Sequence, residues 1–338
     1  MPAGLTAADA LRNTIELARL ADQLGYHRYW IAEHHATAAF ASPAPEIMIA
    51  RVAAETSSIR VGSGGVMLPH YSPMKVVEQF KVLHALHPGR IDLGLGRAPG
   101  GSPLDSFALR RDRDHQPTED DFPRQLMELL AFLNHGFRPD HPFSRIELSP
   151  DLPGGPEVWM LGSSMWSAAA AAQVGLPYSF AHFIDPVPTR SAIEYYRSHF
   201  KPSDRLDQPR VVISLGAIVA DTEEEAKRLF SSVRVFGRRI RQGIRTQIPS
   251  VEEAIAELAN TNKSGPDRPD NGEWPRIFIG DAENVRDRLI DMASVLGAEE
   301  IMIVTITHDH QARLHSYRLL AKAFGLTPRT TPAPIQPS

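Results

Sequence analysis

The sequence predicts an α/β fold, a (β/α)8 TIM barrel built from short buried strands alternating with amphipathic helices. Apolar runs and helical periodicity alternate almost from end to end, with no break that would mark a second domain. Glycines and polar residues follow one strand after another. The 338 residues suit a barrel of eight βα units, which typically takes about 250 residues before insertions.

The chain opens with a helix, which Thr6 can cap and which Gly25 ends. Strands are predicted where short apolar runs follow such glycines or turns, and helices where apolar residues recur on one face. The elements that follow in order are the strand RYWIAE (28–33), a helix at about 45–56, the strand RVGSGGVM (60–67), a helix at 72–86 with Pro73 at its start, and the strand RIDLGLGRA (90–98).

A polar, arginine-rich loop (102–120) precedes the second half, in which the same alternation continues. The predicted elements are a helix at about 123–134, the strand EVWMLG (157–162), a helix at 164–175, the strand YSFAHF (178–183), a helix at about 188–199, the strand RVVISLGAIVA (210–220), a long charged helix from Thr222, a helix at about 283–296, the strand EIMIVTI (300–306) and a helix at about 310–324.

This pattern gives seven strands, one fewer than a complete barrel. Because a barrel normally begins with a strand, the shortfall is assigned to the first strand, which this chain lacks. We therefore expect a single barrel domain over residues 1–326 with a lid insertion at 260–275, where the sequence is polar and rich in glycine and proline. The proline-rich residues 327–338 are expected to form a disordered tail.

Composition excludes several classes of protein. The net charge is −4, with 36 basic and 40 acidic residues interspersed, so no polyanion-binding surface is expected. The absence of cysteine excludes disulfides, thiolate metal sites and cysteine nucleophiles. No apolar run approaches the roughly 18 residues of a membrane span, and the first residues show no signal pattern, so a cytoplasmic location is expected.

The chemistry is expected at the carboxyl ends of the strands, where barrels build their active sites. Polar residues and glycines collect at these ends although each strand is otherwise apolar. They are Glu33-His34-His35, Gly64-Gly65, Gly96-Arg97, Gly162-Ser163-Ser164, His182 and Thr307-His308.

The histidine pair leaves three interpretations open. Glu33, His34, His35, His182 and His308 could supply metal ligands, but adjacent strand residues point to opposite faces, which speaks against His34 and His35 sharing one ion. His34 could handle protons, or the group could be a polar strand end with a structural role. By itself His34 favours the structural interpretation, then acid–base chemistry, then a metal.

Two glycine motifs allow close approach of a ligand or an unusual backbone conformation. GSGG (62–65) weakens its strand, which indicates either close approach of a ligand or a bulge at a barrel corner. GLGRAPGG (94–101) superficially matches a dinucleotide fingerprint, but Ala98-Pro99 stands where the helix would have to begin. What remains there is a strand end at which backbone amides and Arg97 could face an anion.

LGSSMWSAA (161–169) runs from a strand into a helix through Gly-Ser-Ser. The helix N-terminal amides and the hydroxyls of Ser163, Ser164 and Ser167 could cradle a phosphate. An ordinary N-cap serine explains the same residues equally simply, and it is the better local interpretation. The presence of Arg97 at another strand end is the observation that favours an anion-binding site.

Several long motifs resemble the bacterial luciferase-like flavin-dependent monooxygenases, close to the alkanal monooxygenase α chain. They are YHRYWIAEHH, RVGSGGVMLPHYSPMKVVEQF, HPGRIDLGLGRAPG, LGSSMWSAAAAAQVGLP and EEIMIVTITHDHQARLHSYRLL, and they span most of positions 6 to 325. The resemblance implies a barrel that binds reduced FMN delivered by a separate NAD(P)H-dependent flavin reductase. The flavin would react with O2 to a C4a-hydroperoxide that oxygenates a small organic substrate.

The resemblance also implies roles for individual residues. His34 would be catalytic beside the flavin, with Glu33 as its supporting neighbour, and a non-proline cis peptide would fall at Gly64-Gly65. The cofactor-binding set would comprise Gly64, Gly65, Gly96, Arg97, Ser163, Ser164 and Ser167, with the phosphate held by Arg97 and the serines. No metal is implied.

The resemblance further implies a homodimer formed through the helices at 45–56 and 73–86. Two rival hypotheses stay open: a non-catalytic flavin-binding protein with a degraded barrel, motivated by the missing strand, and an oxidoreductase of the same superfamily that uses the deazaflavin F420. The substrate itself is not predicted, because the loops at 36–44, 99–120 and 260–275 that would line its pocket vary most in the family.

Overall fold

The computed structural model describes residues 1–98, 102–109, 121–244, 246–260 and 272–329. Within these ranges parallel strands alternate with helices, in the order α1 (Ala7–Leu24), β1 (Arg28–Ile31), α2 (Pro45–Glu55), β2 (Arg60–Met67), α3 (Pro73–Leu86), β3 (Ile91–Gly96), α4 (Pro103–Leu109), α5 (Phe122–Asn134), β4 (Glu157–Gly162), α6 (Met165–Val174), β5 (Tyr178–Ala181), α7 (Thr189–Ser198), β6 (Val211–Val219), α8 (Glu223–Arg241), α9 (Val251–Asn260), β7 (Ile277–Gly280), α10 (Ala282–Leu296), β8 (Glu300–Val304) and α11 (His310–Ala323). Short 3-10 turns follow β2 at Leu68–His70 and lie at Pro142–Arg145.

The α/β class predicted from the sequence is confirmed, but the expectation of seven strands was wrong. The described residues contain eight, and the additional one is β7. The four residues of β7 follow the polar insertion directly, so they form too short an apolar run to stand out. The chain opens on α1, as predicted, and ahead of this helix the described residues make one isolated bridge, Pro2 to Ile248.

The described residues fall into two compact units, whose bounds along the chain are as follows. Unit 1 comprises Met1–Tyr26, Thr37–Ala41 and Gly162–Ser338, and unit 2 comprises His27–Ala36 and Ser42–Leu161. In unit 2, β1, β2, β3 and β4 pair in sequence order, all parallel. In unit 1, β6 pairs in parallel with β5, β7 and β8, and all nine of its residues are buried.

Two helices lie where the sequence analysis expected none. Part of the arginine-rich loop forms α4, and α9 follows the long charged helix α8. The remainder of that loop (110–120), residues 261–271 of the expected lid and residues 330–338 of the expected tail lie outside the described residues. No helix in the described part of the chain is long and apolar enough to cross a membrane.

The end of α1 shows why a glycine stands at position 25. Gly25 has φ +88°, in the left-handed region that closes many helices. A Cβ at this position would lie 2.2 Å from the carbonyl oxygen of Thr327, so a side chain is also excluded by packing. The amide of Arg329 donates to Gln23 O at 3.0 Å, which holds residues 327–329 against the end of α1.

A buried charge network joins the four strands of unit 2. Asp92 of β3 is fully buried and accepts from Arg28 Nη1 of β1 at 2.7 Å and from Arg60 Nε of β2 at 2.9 Å. Trp30 Nε1 also donates to Asp92, at 2.8 Å. Glu157 of β4 lies 3.5 Å from Arg28 and 3.3 Å from Arg60. Each strand therefore contributes one charged residue to a single cluster.

We predict that Asp92→Asn lowers the free energy of unfolding by about 3–5 kcal/mol, because it leaves the buried Arg28 without its closest counter-charge. Denaturant unfolding followed by circular dichroism measures the change. The matched control is Asp287→Asn, which breaks an ion pair of 2.7 Å to Arg286 at an exposed position and should cost under about 1 kcal/mol. Equal losses in the two variants would show that burial of the network contributes nothing.

Candidate active site

Glu33 is the most constrained polar side chain after β1. Its side chain is 1% exposed, yet three donors reach its carboxylate. The amide of Met67 donates to Oε2 at 3.0 Å, and Oε1 lies 2.7 Å from both Tyr71 Oη and His35 Nε2. A buried carboxylate needs such donors to offset its lost hydration. Glu33 therefore fastens the end of β1 to the end of β2.

His34 lies between these anchored residues, and its backbone amide donates to Ser42 O at 3.4 Å. Burial lowers the pKa of its imidazole, the neighbouring His35 lowers it further, and Glu33 opposes both effects. The ring is thus held neutral at neutral pH, a state in which it can accept a proton from one partner and return it to another. The Glu33 carboxylate pairs with His35, and the role of Glu33 as the supporting neighbour of His34 stays a prediction.

The Gly64–Gly65 peptide bond is cis, as the resemblance implied. Packing enforces the second glycine, because a Cβ on Gly65 would lie 2.8 Å from Gly94 O; a Cβ on Gly64 would make a tight contact of 3.1 Å with Trp30 Cβ. This close approach within the sheet is a structural reason for part of the GSGG motif.

The end of β3 is more open. A Cβ added to Gly96 would meet only Val66 O, at 3.9 Å, and Arg97 is exposed. All the residues discussed so far, from Glu33 to Arg97, belong to unit 2.

The serine loop of unit 1 is organised by its own hydrogen bonds. Ser164 caps α6 and forms a capping box with Ser167. The buried Ser167 hydroxyl donates to Ser164 O at 2.7 Å and lies 2.9 Å from Tyr178 Oη. A Cβ on Gly162 would fall 2.3 Å from Ser167 Oγ, which explains the glycine. The side chains of Ser163 and Ser164 are partly exposed and exposed, respectively. Ser167 is buried, and its hydroxyl hydrogen is donated to Ser164 O within the loop.

The remaining histidines of the metal hypothesis serve other partners. His182 is fully buried, with Nδ1 2.7 Å from Thr189 Oγ1 and Nε2 3.0 Å from Pro275 O. His308 Nε2 lies 3.1 Å from Ala3 O. In the part of the chain that the structure describes, no group of three or more histidine, aspartate or glutamate residues could hold a metal ion.

Sequence reasoning missed two tyrosines. Tyr71 follows the turn after β2, and its hydroxyl reaches Glu33 across 38 residues of sequence. Tyr178 begins β5 and supports Ser167. The sequence does not single out either tyrosine, because no local pattern indicates a partner that tertiary packing supplies.

Comparison with known proteins identifies the class. The family model for luciferase-like monooxygenases matches residues 1–299, and the chain belongs to this family. It is 40% identical to a luciferase-like monooxygenase of Escherichia coli K12 over 94% of this chain and 92% of that protein. It is 34% identical to the N-acetyl-S-alkylcysteine monooxygenase of Bacillus subtilis over 95% of this chain and 94% of that protein.

Solved structures agree on the fold. The crystal structure of apo-MsnO8 has 50% sequence identity and a TM-score of 0.89, covering 97% of both chains. The oxygenating constituent of 3,6-diketocamphane monooxygenase from Pseudomonas putida, solved with FMN, has 20% identity and a TM-score of 0.67, covering 96% of this chain and 95% of that one. An F420-dependent secondary alcohol dehydrogenase has 13% identity and a TM-score of 0.65, covering 94% and 95%. The fold is thus that of the luciferase-like TIM-barrel monooxygenases.

We predict that His34 makes folding stability depend on pH. Because its pKa is lower in the folded than in the unfolded chain, the folded state binds fewer protons and loses stability as pH falls below about 6.5. His34→Asn should flatten this part of the profile, measured as the denaturant midpoint between about pH 5 and 7.5. A His34→Asn slope equal to that of the wild type would contradict the expected shift.

Proposed function

We propose that this protein is a flavin-dependent monooxygenase that uses reduced FMN and O2 to oxygenate a small organic substrate. A separate NAD(P)H-dependent reductase would supply the reduced flavin. The observation that carries the proposal is the family match over residues 1–299, which includes every candidate residue from Glu33 to Ser167.

The donor set fits a flavin phosphate. Each unit offers donors that are proposed for the phosphate: in unit 1 the Ser163 and Ser164 hydroxyls and the first amides of α6, which suit an anion, and in unit 2 the Arg97 guanidinium. Ser167 is assigned to shaping this loop, since its hydroxyl is committed to Ser164 O. Gly64, Gly65 and Gly96 are proposed to contact the flavin through backbone.

His34 is proposed to be the group that holds or moves a proton during the reaction. Its lowered pKa keeps the ring neutral at physiological pH, so it can accept a proton and release it again. Glu33 is not a proton donor in this proposal; its carboxylate is bound by three donors and keeps the segment in place. The bound flavin supplies the oxygen-activating chemistry.

The homodimer through α2 and α3 stays a prediction, as does the cytoplasmic location. Ile47 on α2 is 66% exposed and Leu86 on α3 is 65% exposed, and such apolar exposure supports contacts of these helices with a second copy.

The test uses FMN and F420, each in reduced and oxidised form. We expect micromolar or tighter binding of FMN, weak binding of F420, and incorporation of one atom from 18O2 into a probe substrate. An N-acetyl-S-alkylcysteine, suggested by the relative with 34% identity, and a medium-chain aldehyde are suitable probes. His34→Ala should lower turnover by roughly 10²–10⁴-fold, the usual loss for an acid–base group, with FMN affinity retained.

Each result separates the alternatives. Preferential F420 binding with hydride transfer would replace the monooxygenase by an F420-dependent enzyme. FMN binding without oxygen incorporation into any of a broad panel of thioethers, aldehydes and ketones would favour the non-catalytic flavin-binding protein. Unchanged turnover in His34→Ala would remove this histidine from the proposed chemistry.

We predict that Ser164→Ala weakens FMN binding about tenfold, because it removes a donor to the phosphate, with little change if riboflavin is titrated instead. Ser167→Ala is the matched variant in the same loop. It should lower the free energy of unfolding by about 1–2 kcal/mol, because Ser164 O loses a buried donor. Equal weakening of FMN and riboflavin by Ser164→Ala would argue against phosphate recognition there.

A further inference from the structure

The loop between β2 and α3 places one tyrosine hydroxyl on the buried carboxylate that follows β1. Tyr71 Oη lies 2.7 Å from Glu33 Oε1. Its phenol remains protonated, because burial raises its pKa, the hydrogen bond to Glu33 raises it further, and the charge of Glu33 adds to both. Tyr71 is therefore a permanent donor to this carboxylate.

The three donors to Glu33 come from two parts of the chain, the end of β2 with the turn after it and the segment after β1 that also carries Glu33. Tyr71 lies beyond the 3-10 turn, Met67 ends β2, and His35 belongs to the segment after β1. A single buried carboxylate therefore sets the distances among these segments. Removing one donor leaves part of its charge unsolvated and frees one segment to move.

The hydrogen bonds to the Glu33 carboxylate constrain the position of His34. It stands between Glu33, held by Met67 and Tyr71, and His35, held by Glu33 itself. The His35 ring is further placed by an edge-on contact with His70, with centroids 5.8 Å apart, and His70 in turn packs edge-on against Tyr71 at 6.4 Å. The side chains of Glu33, His35, His70 and Tyr71 thus contact one another in a closed ring.

We propose that Tyr71 is a positioning residue for the flavin reaction, acting through Glu33 to fix the segment that carries His34. This inference rests on the proposed function. It assigns Tyr71 no contact with flavin or substrate, and it assigns Glu33 the role of the shared acceptor.

The test is a double-mutant cycle with Tyr71→Phe, Glu33→Gln and the combination of both. The rate at which O2 reoxidises bound reduced FMN is measured in a single turnover, per flavin bound. Misplacement by about 1 Å can cost on the order of 100-fold, so we expect Tyr71→Phe to change the rate by roughly 10- to 100-fold, with the FMN dissociation constant within about twofold of wild type. In the Glu33→Gln background, Tyr71→Phe should add little, because the shared acceptor is already altered.

The matched control is Tyr26→Phe. Tyr26 is a largely buried tyrosine whose hydroxyl donates to a backbone carbonyl, Tyr317 O, at 2.8 Å, and its pKa is also raised by burial. The Tyr26→Phe substitution removes a phenolic oxygen, as Tyr71→Phe does, but this oxygen has no contact with Glu33. It should therefore leave the reoxidation rate unchanged. A Tyr71→Phe rate like that of Tyr26→Phe would overturn the inference, as would full additivity with Glu33→Gln.

If the wild type does not bind FMN, the proposed function is refuted but the inference about Tyr71 is not. A measurement without flavin then tests that inference. Histidine ring resonances are followed by NMR across pH in the flavin-free protein. His35 and Glu33 act on the His34 midpoint. Tyr71, which Glu46 also influences, contacts Glu33, and His70 packs against His35. Tyr71→Phe should displace the His34 resonances and midpoint from those of wild type and of Tyr26→Phe; coincidence of all three would overturn the inference.

Discussion

The buried contact of Asp92 with Arg28 and Arg60 is the constraint on which unit 2 depends. Three neighbouring strands each contribute one of these residues, and Glu157 brings in the fourth. A charge enclosed in this way is tolerated only with its partners in place, so the contact fixes which strands lie side by side and in what register.

Trp30 carries this constraint along β1 toward the candidate site. Its indole donates to Asp92, while its Cβ lies 3.1 Å from the place that a Cβ on Gly64 would take. Three residues further along the chain, Glu33 closes the other end of the strand against Met67. A strand of only four residues is therefore held by buried charge at both ends, which gives the segment with His34 a rigid base.

The serine loop of unit 1 reaches a fixed shape by different means. Its glycine admits the Ser167 side chain, its serines cap each other and the helix, and Tyr178 supports them from the following strand. Donors that such bonds hold in place bind an anion at a lower entropic cost. The capping and phosphate interpretations of Gly-Ser-Ser are thus compatible: Ser164 and Ser167 form the capping box, and the hydroxyls of Ser163 and Ser164 are the donors proposed for the phosphate.

The sequence by itself determined the α/β class, seven of the strands and the candidates at strand ends, because alternation, capping and glycine signals are local. The strand β7 escaped, since four residues after an insertion carry too little periodicity. Only the tertiary structure decided that Glu33 accepts hydrogen bonds from His35 and Tyr71. It also decided that Asp92 accepts from two arginines and that the Ser167 hydroxyl donates to Ser164 O. These are contacts between side chains, many of them far apart in the chain, and their partners are chosen by packing and by the cost of leaving a buried polar group unpaired, which no local pattern records.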